Sequence, residues 1–408
     1  MHDHSGSEFD DVTPLGVARD RFRDLVETVD RTTTRAVAEA ASDVLAAAVT
    51  ARRAVPHYER AAMDGYAVRA ADTQQAGRSP VALDLADGEV GPRSAVNVHT
   101  GSALPSGADA VVMVEDTQQV GDTVEVEAAV ASGENVAPVG EDVGADQHLY
   151  DAGHRLTAAD LGLLRSAGHE EVEVYERPRV SVVPTGEELV PAGEEPEPGE
   201  IVETNGLVVS RLVERWGGGA TYRGVVTDDV DALGAAIDRD TDHDVVVTIG
   251  GTSVGERDLL PAVVGDRGSV EIHGLAVRPG HPAGFGVVED TLVLMLPGYP
   301  VSSLVVATQL LRPAVGHAGG FEPDPIPETP GVLERKIPSE PGVRTFARVS
   351  VEESSGDGET AEVTPTRTSG AGVLSSVTLS DGWVVVPEDS EGFEAGREVA
   401  VERWDWEP

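Results

Sequence analysis

An uninterrupted run of β-branched residues, Val245–Ile249, breaks abruptly into Gly250-Gly251. Two branches on Cβ restrict χ1 and favour extended backbone, so the run reads as a short buried strand. A strand that delivers a glycine-rich loop at its carboxyl end marks where an open α/β sheet holds a ligand. The loop offers two hydroxyls, Thr252 and Ser253, bends again at Gly255, and closes on Glu256-Arg257-Asp258. Glycines let backbone N–H groups approach an anion closely, and a carboxylate at the far end of the loop suits a bound cation. The expectation is phosphate plus metal. An ordinary glycine-rich turn has the same spelling, so the rest of the chain must decide.

The chain around this stretch alternates strand and helix from about 172 to 330. Val180–Val183 ends in Pro184-Thr185-Gly186-Glu187-Glu188, and Asn205 is expected to cap a helix running to Trp216 and stopped by Gly217. Thr221–Val226 reads as a strand ending in Thr227-Asp228-Asp229. Ala232–Asp238 reads as a helix, and Thr291–Leu296 as a strand leading into Pro297-Gly298-Tyr299-Pro300 and a helix from Ser302. This alternation predicts a doubly wound parallel sheet whose loops converge on one edge. Elsewhere, Leu15, Phe22, Leu25 and Val29 recur at helical spacing within 12–29. The alanine-rich Thr34–Ala48 is expected to form a second helix, and Val55–Asp72 a loop or irregular segment. Val81–Leu85, Ala95–His99, Ala110–Val114 and Thr123–Ala129 predict a small β domain, with Thr100-Gly101 on a turn. A helix is expected over 157–167, capped by Thr157 and ended by Gly168. After a linker at 322–331, Thr345–Val351, Ala361–Pro365, Trp383–Val386 and Glu398–Val401 predict a second β domain.

Composition excludes several classes. At 408 residues the chain holds more than one core, and there is no cysteine for disulfides, thiolate metal sites or a nucleophile. No apolar run approaches the roughly 20 residues of a membrane span. The polar start MHDHSGSEFDD is no secretory signal, and a cytoplasmic location is expected. The net charge is −42, and Lys336 is the one lysine among 30 basic residues. Such an excess repels nucleic acid and anionic membrane, so neither is expected as a partner. Spread along the chain with lysine depleted, it fits adaptation to molar salt, where the Debye length falls to about 3 Å. With 72 acids, most carboxylates are solvated surface, and no single one is functional by default.

The acids and hydroxyls at loop tips are Asp64, Thr100, Asp142, Glu188, Asp228 and Asp258. Glu188, Asp228 and Asp258 each follow a strand of the one expected sheet. Carboxylates converging on an anion loop suit Mg²⁺ held between protein and phosphate oxygens. His281 has no second histidine at ligand spacing and reads as loop packing. Met63 and Tyr66 read as residues packing the loop around Gly65, and Pro297 and Pro300 as shaping a turn at a helix start.

The order of these motifs is similar to that of a known family. Ala62-Met63-Asp64-Gly65-Tyr66-Ala67, Thr100-Gly101 with Pro105 and Gly107-Ala108-Asp109-Ala110, and Pro184-Thr185-Gly186 with Glu188-Leu189 come first. Gly250-Gly251 with Ser253 and Gly255, Arg278-Pro279-Gly280, Leu296–Ser302, and Ser369-Gly370 with Leu374-Ser375-Ser376 follow. Together they resemble the molybdopterin molybdotransferases, MoeA and the E domain of gephyrin, over about residues 12–404. The resemblance implies a multidomain α/β protein: an acidic tail (1–11), N-terminal helices (12–49), an inserted β domain (50–140), a linking segment (141–177), a doubly wound molybdopterin-binding α/β domain (178–325) and a C-terminal β-barrel (326–408). It implies a transferase that inserts molybdate into adenylylated molybdopterin and releases AMP with Mg²⁺ as cofactor. It implies a homodimer whose active site crosses the subunit interface.

Under that resemblance, Asp64, Thr100, Glu188, Asp228 and Asp258 are the catalytic candidates, the last three holding the metal. Gly250, Gly251, Thr252, Ser253 and Gly255 would hold the pterin phosphate, Arg278 an oxyanion, and Pro297, Pro300 and Ser302 would line the substrate site. Gly274 and His281 stand where many relatives carry lysine. Three alternatives stay open: a receptor-clustering scaffold, the related adenylyltransferase, and a tungstate-specific paralogue.

Overall fold

The computed structural model describes residues 12–251, 259–352, 361–367, 372–373 and 375–405. The acidic tail and the residues Thr252, Ser253, Gly255 and Asp258 lie outside the described residues, as do Ser369, Gly370 and Leu374. The chain divides into two compact units: Thr33–Val174, and the residues before and after it.

The second of these holds the expected α/β sheet. Its elements are β1 (Arg179–Pro184), α1 (Asn205–Arg215), β2 (Gly219–Tyr222), α2 (Val230–Arg239), β3 (Val245–Ile249), α3 (Leu260–Arg267), β4 (Gly268–His273), β5 (Gly284–Val288), β6 (Thr291–Leu296) and α4 (Pro300–Val306). The sheet order is β2-β1-β3-β6-β5-β4. The β2, β1, β3 and β6 pairings are parallel, whereas β5 adds antiparallel to β6 and β4 antiparallel to β5. The sheet is thus parallel only in the half that carries the loops, because β4 to β6 follow one another without a crossover helix.

Alternation sorts β3 between two layers. Val245, Val247 and Ile249 pack with α1, α4 and the N-terminal helix Leu15–Leu25. Val246 packs on the opposite face with Leu233 and Ile237 of α2 and Leu260 and Val263 of α3. All five β3 residues are buried, each valine contributing about 1.5–3 kcal/mol relative to exposure.

Several expectations need correction. The helix α1 starts at Asn205, which is therefore not its cap; the Glu203 carboxylate accepts from the Gly206 N–H at 2.6 Å and does that work. The strand expected over Thr221–Val226 ends at Tyr222, and the chain returns only as a bridge between Val226 and Thr185. The helix expected from Ser302 begins at Pro300, whose fixed φ suits a first helical position. The N-terminal helix stops at Leu25, short of Val29. The linker over 322–331 contains the start of a strand, Glu328–Leu333. That strand joins Arg344–Glu352, Ala361–Arg367, Gly382–Val386 and Glu398–Glu402 in a closed five-strand ring, the expected barrel.

In Thr33–Val174 the expected second helix is absent. Thr32–Ala36 is a strand and Val37–Glu39 a single 3₁₀ turn. Three consecutive threonines favour the strand, and burial of Val37, Ala40 and Leu45 against Leu156, Leu164 and Val174 outweighs the helix propensity of the alanines. The segment read as irregular contains a fully buried strand, Gly65–Val68. It lies in a six-stranded sheet with Ala110–Met113, Ser94–Val98, Val81–Leu85, Thr123–Val126 and Thr117–Val120. The helix Ala158–Ser166 has its Thr157 cap, in a reciprocal box with Asp160.

Candidate functional site

Three parallel strands end in register: Pro184 opposite Ile249, and Ile249 opposite Leu296. Their loops are tied by backbone. The Thr185 N–H donates to Ile249 O at 2.8 Å, Gly250 N–H to Leu296 O at 3.0 Å, and Gly186 N–H to Val226 O at 3.1 Å. The Asn205 amide donates across to Gly298 O at 2.7 Å. Gly250, at φ +115°, lies so close to Thr185 that a Cβ would drive into its carbonyl, whereas a Cβ on Gly298 would only touch the Gly250 Cα. Here glycine is required by contact between loops as well as by φ.

Acids gather at this edge. Asp228 is half-buried; burial pushes its carboxyl up, and the neighbouring Glu188 and Glu187 push it further. Its Oδ1 and the Thr185 Oγ1 are both fully buried, and the Thr185 hydroxyl beside this carboxyl pulls it only part of the way back. The Glu188 carboxylate sits over Gly186, where a Cβ would be 2.9 Å from its oxygen. A buried carboxyl crowded by two further acids, with the Thr185 hydroxyl set against that repulsion, marks a place suited to a ligand.

The structure therefore brings together Glu188, Asp228, Gly250, Gly251, Pro297 and Pro300 on one edge. Ser302 follows within α4 and is buried, its carbonyl near Gly280. Arg278 extends the barrel edge opposite Thr345, half-exposed, and donates to Glu340 at 2.8 Å. His281 packs its loop as expected, its ring against Leu275 O, and burial pushes it down. Gly274 has φ +93°, a conformation that a side chain in its place would strain.

In the other unit, Asp64 is exposed and sits just before the strand Gly65–Val68. It accepts from the Thr100 N–H at 2.6 Å and the Thr100 hydroxyl at 2.9 Å. The backbone bond, then the hydroxyl, holds its carboxyl below the usual range, with His99 adding a smaller pull. The pair expected from sequence is thus in direct contact. Tyr66 is buried and packs, its hydroxyl reaching Gln119, whereas Met63 is 41% exposed.

Sequence reasoning missed Thr185, Glu187 and the brace below the site, in which Glu203 binds both the Gly206 N–H and the Tyr222 hydroxyl. Thr185 was legible: it is the first residue after β1, on the same edge as Gly250. Glu203 carried no signal among 72 acids.

A parallel half-sheet whose strand ends gather a glycine turn, a threonine and crowded acids is the arrangement with which α/β proteins hold a small molecule at their carboxyl edge. Residues 13–168 match the MoeA N-terminal region (domain I and II), 181–317 a probable molybdopterin binding domain, and 330–404 the MoeA C-terminal region (domain IV). A putative molybdopterin biosynthesis protein of Methanocaldococcus jannaschii is 36% identical, covering 90% of each chain. A molybdopterin molybdenumtransferase of Bacillus subtilis is 30% identical over 88% of this chain and 86% of its own. The crystal structure of a MoeA protein from Pyrococcus horikoshii superposes with a TM-score of 0.80 at 32% identity, covering 97% of this chain and 99% of that one. This chain belongs to the MoeA family, and membership places it among the transferases of molybdenum cofactor biosynthesis.

Proposed function

We propose that this chain inserts molybdate into adenylylated molybdopterin and releases AMP. The observation that carries the reading is the carboxyl edge of the sheet, where Gly250 and Gly251 offer an anion turn directly beside Glu188 and Asp228. The substrate's phosphoanhydride is multiply charged, and its cleavage needs that charge neutralised and its phosphates held.

The residues present fit a magnesium ion. Mg²⁺ takes oxygen ligands, and Asp228 Oδ1 is a buried carboxylate oxygen flanked by Glu188. Among the described residues no three His, Asp or Glu side chains form a metal-sized cluster. The proposal therefore assigns the third ligand to Asp258. When bound, the ion would supply charge neutralisation at the phosphates. The chain's own part is to fix the glycine turn, through the Thr185 and Asn205 tethers, and to keep the acids on one edge.

The proposal further takes the protein as a cytoplasmic homodimer adapted to molar salt, in which Asp64 and Thr100 serve the reaction carried at the sheet edge of the other copy. Arg278 would exchange Glu340 for an oxyanion. Among the described residues no helix is long and apolar enough to cross a membrane. Molybdate-dependent AMP release, measured with adenylylated molybdopterin and Mg²⁺ in molar KCl, tests the reaction; a folded protein that releases none refutes it. Mixing the inactive Asp64→Asn and Asp228→Asn chains tests the shared site. Re-formed mixed dimers should regain roughly a quarter of wild-type activity, since half of them carry one intact site. No regain would confine each site to one chain.

A further inference from the structure

We infer that a groove beside the sheet edge is the seat of the purine nucleoside half of a nucleotide ligand; the assignment rests on the transferase reading for the identity of that ligand. The groove encloses about 490 Å³, within the range of small-molecule sites. Leu207 and Leu212 of α1, Leu304 of α4, Val377 and Trp404 form its apolar walls. Its near end is Asn205 and Pro300, the residues that begin α1 and α4. Asn205 also tethers Gly298, so the groove is continuous with the glycine turn.

Three features point to the kind of occupant. Ser303 lines the groove at 1% exposure, and its hydroxyl has no partner among the described residues. A buried hydroxyl left unpaired is destabilising unless something satisfies it. Leu207 stays 46% exposed on the groove, although the rest of α1's apolar face is covered. Arg211 and Arg215 flank an otherwise apolar surface in a chain of net charge −42, held in place by Glu214 at 2.6 Å and Asp405 at 2.7 Å. Apolar walls, one unpaired buried hydroxyl and a cationic rim match an aromatic base attached to a phosphate. The pterin ring has hydrogen-bonding groups along most of its edge, whereas the groove's other polar side chains, Asn205, Thr378, Arg211 and Arg215, already bond within the protein. Adenine needs fewer partners and gains more from Trp404, which is itself stacked on Trp383 at 5.4 Å.

The test is calorimetric titration of AMP into the full chain in molar KCl, with ribose 5-phosphate as the base-free control. Leu207→Trp fills the groove from an exposed position, and Ser303→Ala removes only the hydroxyl. AMP should bind wild type, bind Leu207→Trp at least about tenfold more weakly, and bind Ser303→Ala about threefold more weakly. Equal AMP affinity in wild type and Leu207→Trp, or ribose 5-phosphate binding as tightly as AMP, overturns the assignment. Groove-dependent AMP binding without molybdate-dependent AMP release would uphold the groove and sink the transferase reading. Release with AMP affinity indifferent to both variants would do the reverse.

Discussion

Asp240 and Asp228 belong to the same α/β domain, and each has carboxylate oxygens out of water, yet their surroundings are opposite. Asp240 accepts from Arg223, from Arg239 at 2.8 and 3.2 Å, and from the Ser181 hydroxyl at 2.7 Å. Burial would raise it, but Arg239, Arg223 and Ser181 together hold it well below the usual carboxylate range. Asp228 has a buried oxygen, the Thr185 hydroxyl set against its burial, and two more acids as neighbours, so that its carboxyl stays raised. Folding stability alone favours the first arrangement and opposes the second. In a chain with 72 acids, what distinguishes a working carboxylate is not burial but burial left uncompensated.

The comparison breaks most readily at Asp240. Asp240→Ala leaves two arginines facing a buried void and should cost about 3 kcal/mol of stability, toward the low end for a buried pair because both arginines remain partly in water. Urea unfolding in molar salt would measure this. Activity per folded molecule should be unchanged. A cost under about 1 kcal/mol would show that the cluster is no anchor.

Asp228→Asn should act in the opposite sense on both counts. A carboxyl raised in the folded state contributes stability below the ordinary carboxylate pKa and loses it as pH rises through the raised value. At neutral pH the ionised Asp228 therefore opposes folding, and the amide should raise Tm by about 2 °C. The gain should vanish as pH falls into the carboxylate range, where the native acid is already neutral. Molybdate-dependent AMP release should meanwhile fall at least about a hundredfold. A lower Tm at neutral pH would refute the view of Asp228 as a strained acid.

Much of this architecture was legible because two signals agreed. The β-branched run of β3 and its Gly250-Gly251 break placed the strand and its loop, and the register of β1, β3 and β6 follows from their matched apolar runs. What sequence did not reveal depended on contacts made across long separations. Thr34–Ala48 has helical composition but becomes a strand and a 3₁₀ turn, because its apolar residues meet partners near 156–174. Pro327 and Pro330 disguised a barrel strand as a linker; barrel closure holds it in place. At the site, Glu188 and Asp228 could be placed on one edge, but not the burial of Asp228 Oδ1, which is a property of everything around it.

Asp64 supplies a third case between the other two. It is exposed, like a surface acid, but two bonds from one residue, Thr100, fix its orientation and keep it ionised. Its carboxyl is lowered in the folded state, so that stabilisation is present above the ordinary carboxylate pKa and lost as pH falls through the lowered value. Thr100→Val removes the hydroxyl bond and keeps the stronger backbone bond. The Asp64 carboxyl should therefore rise part of the way toward its ordinary value, a change NMR titration would detect. Turnover should fall about tenfold or less, since orientation is weakened rather than lost. If Thr100→Val leaves both the titration and the turnover untouched, the backbone N–H alone positions Asp64. A loss as large as that of Asp228→Asn would instead place the hydroxyl on the substrate.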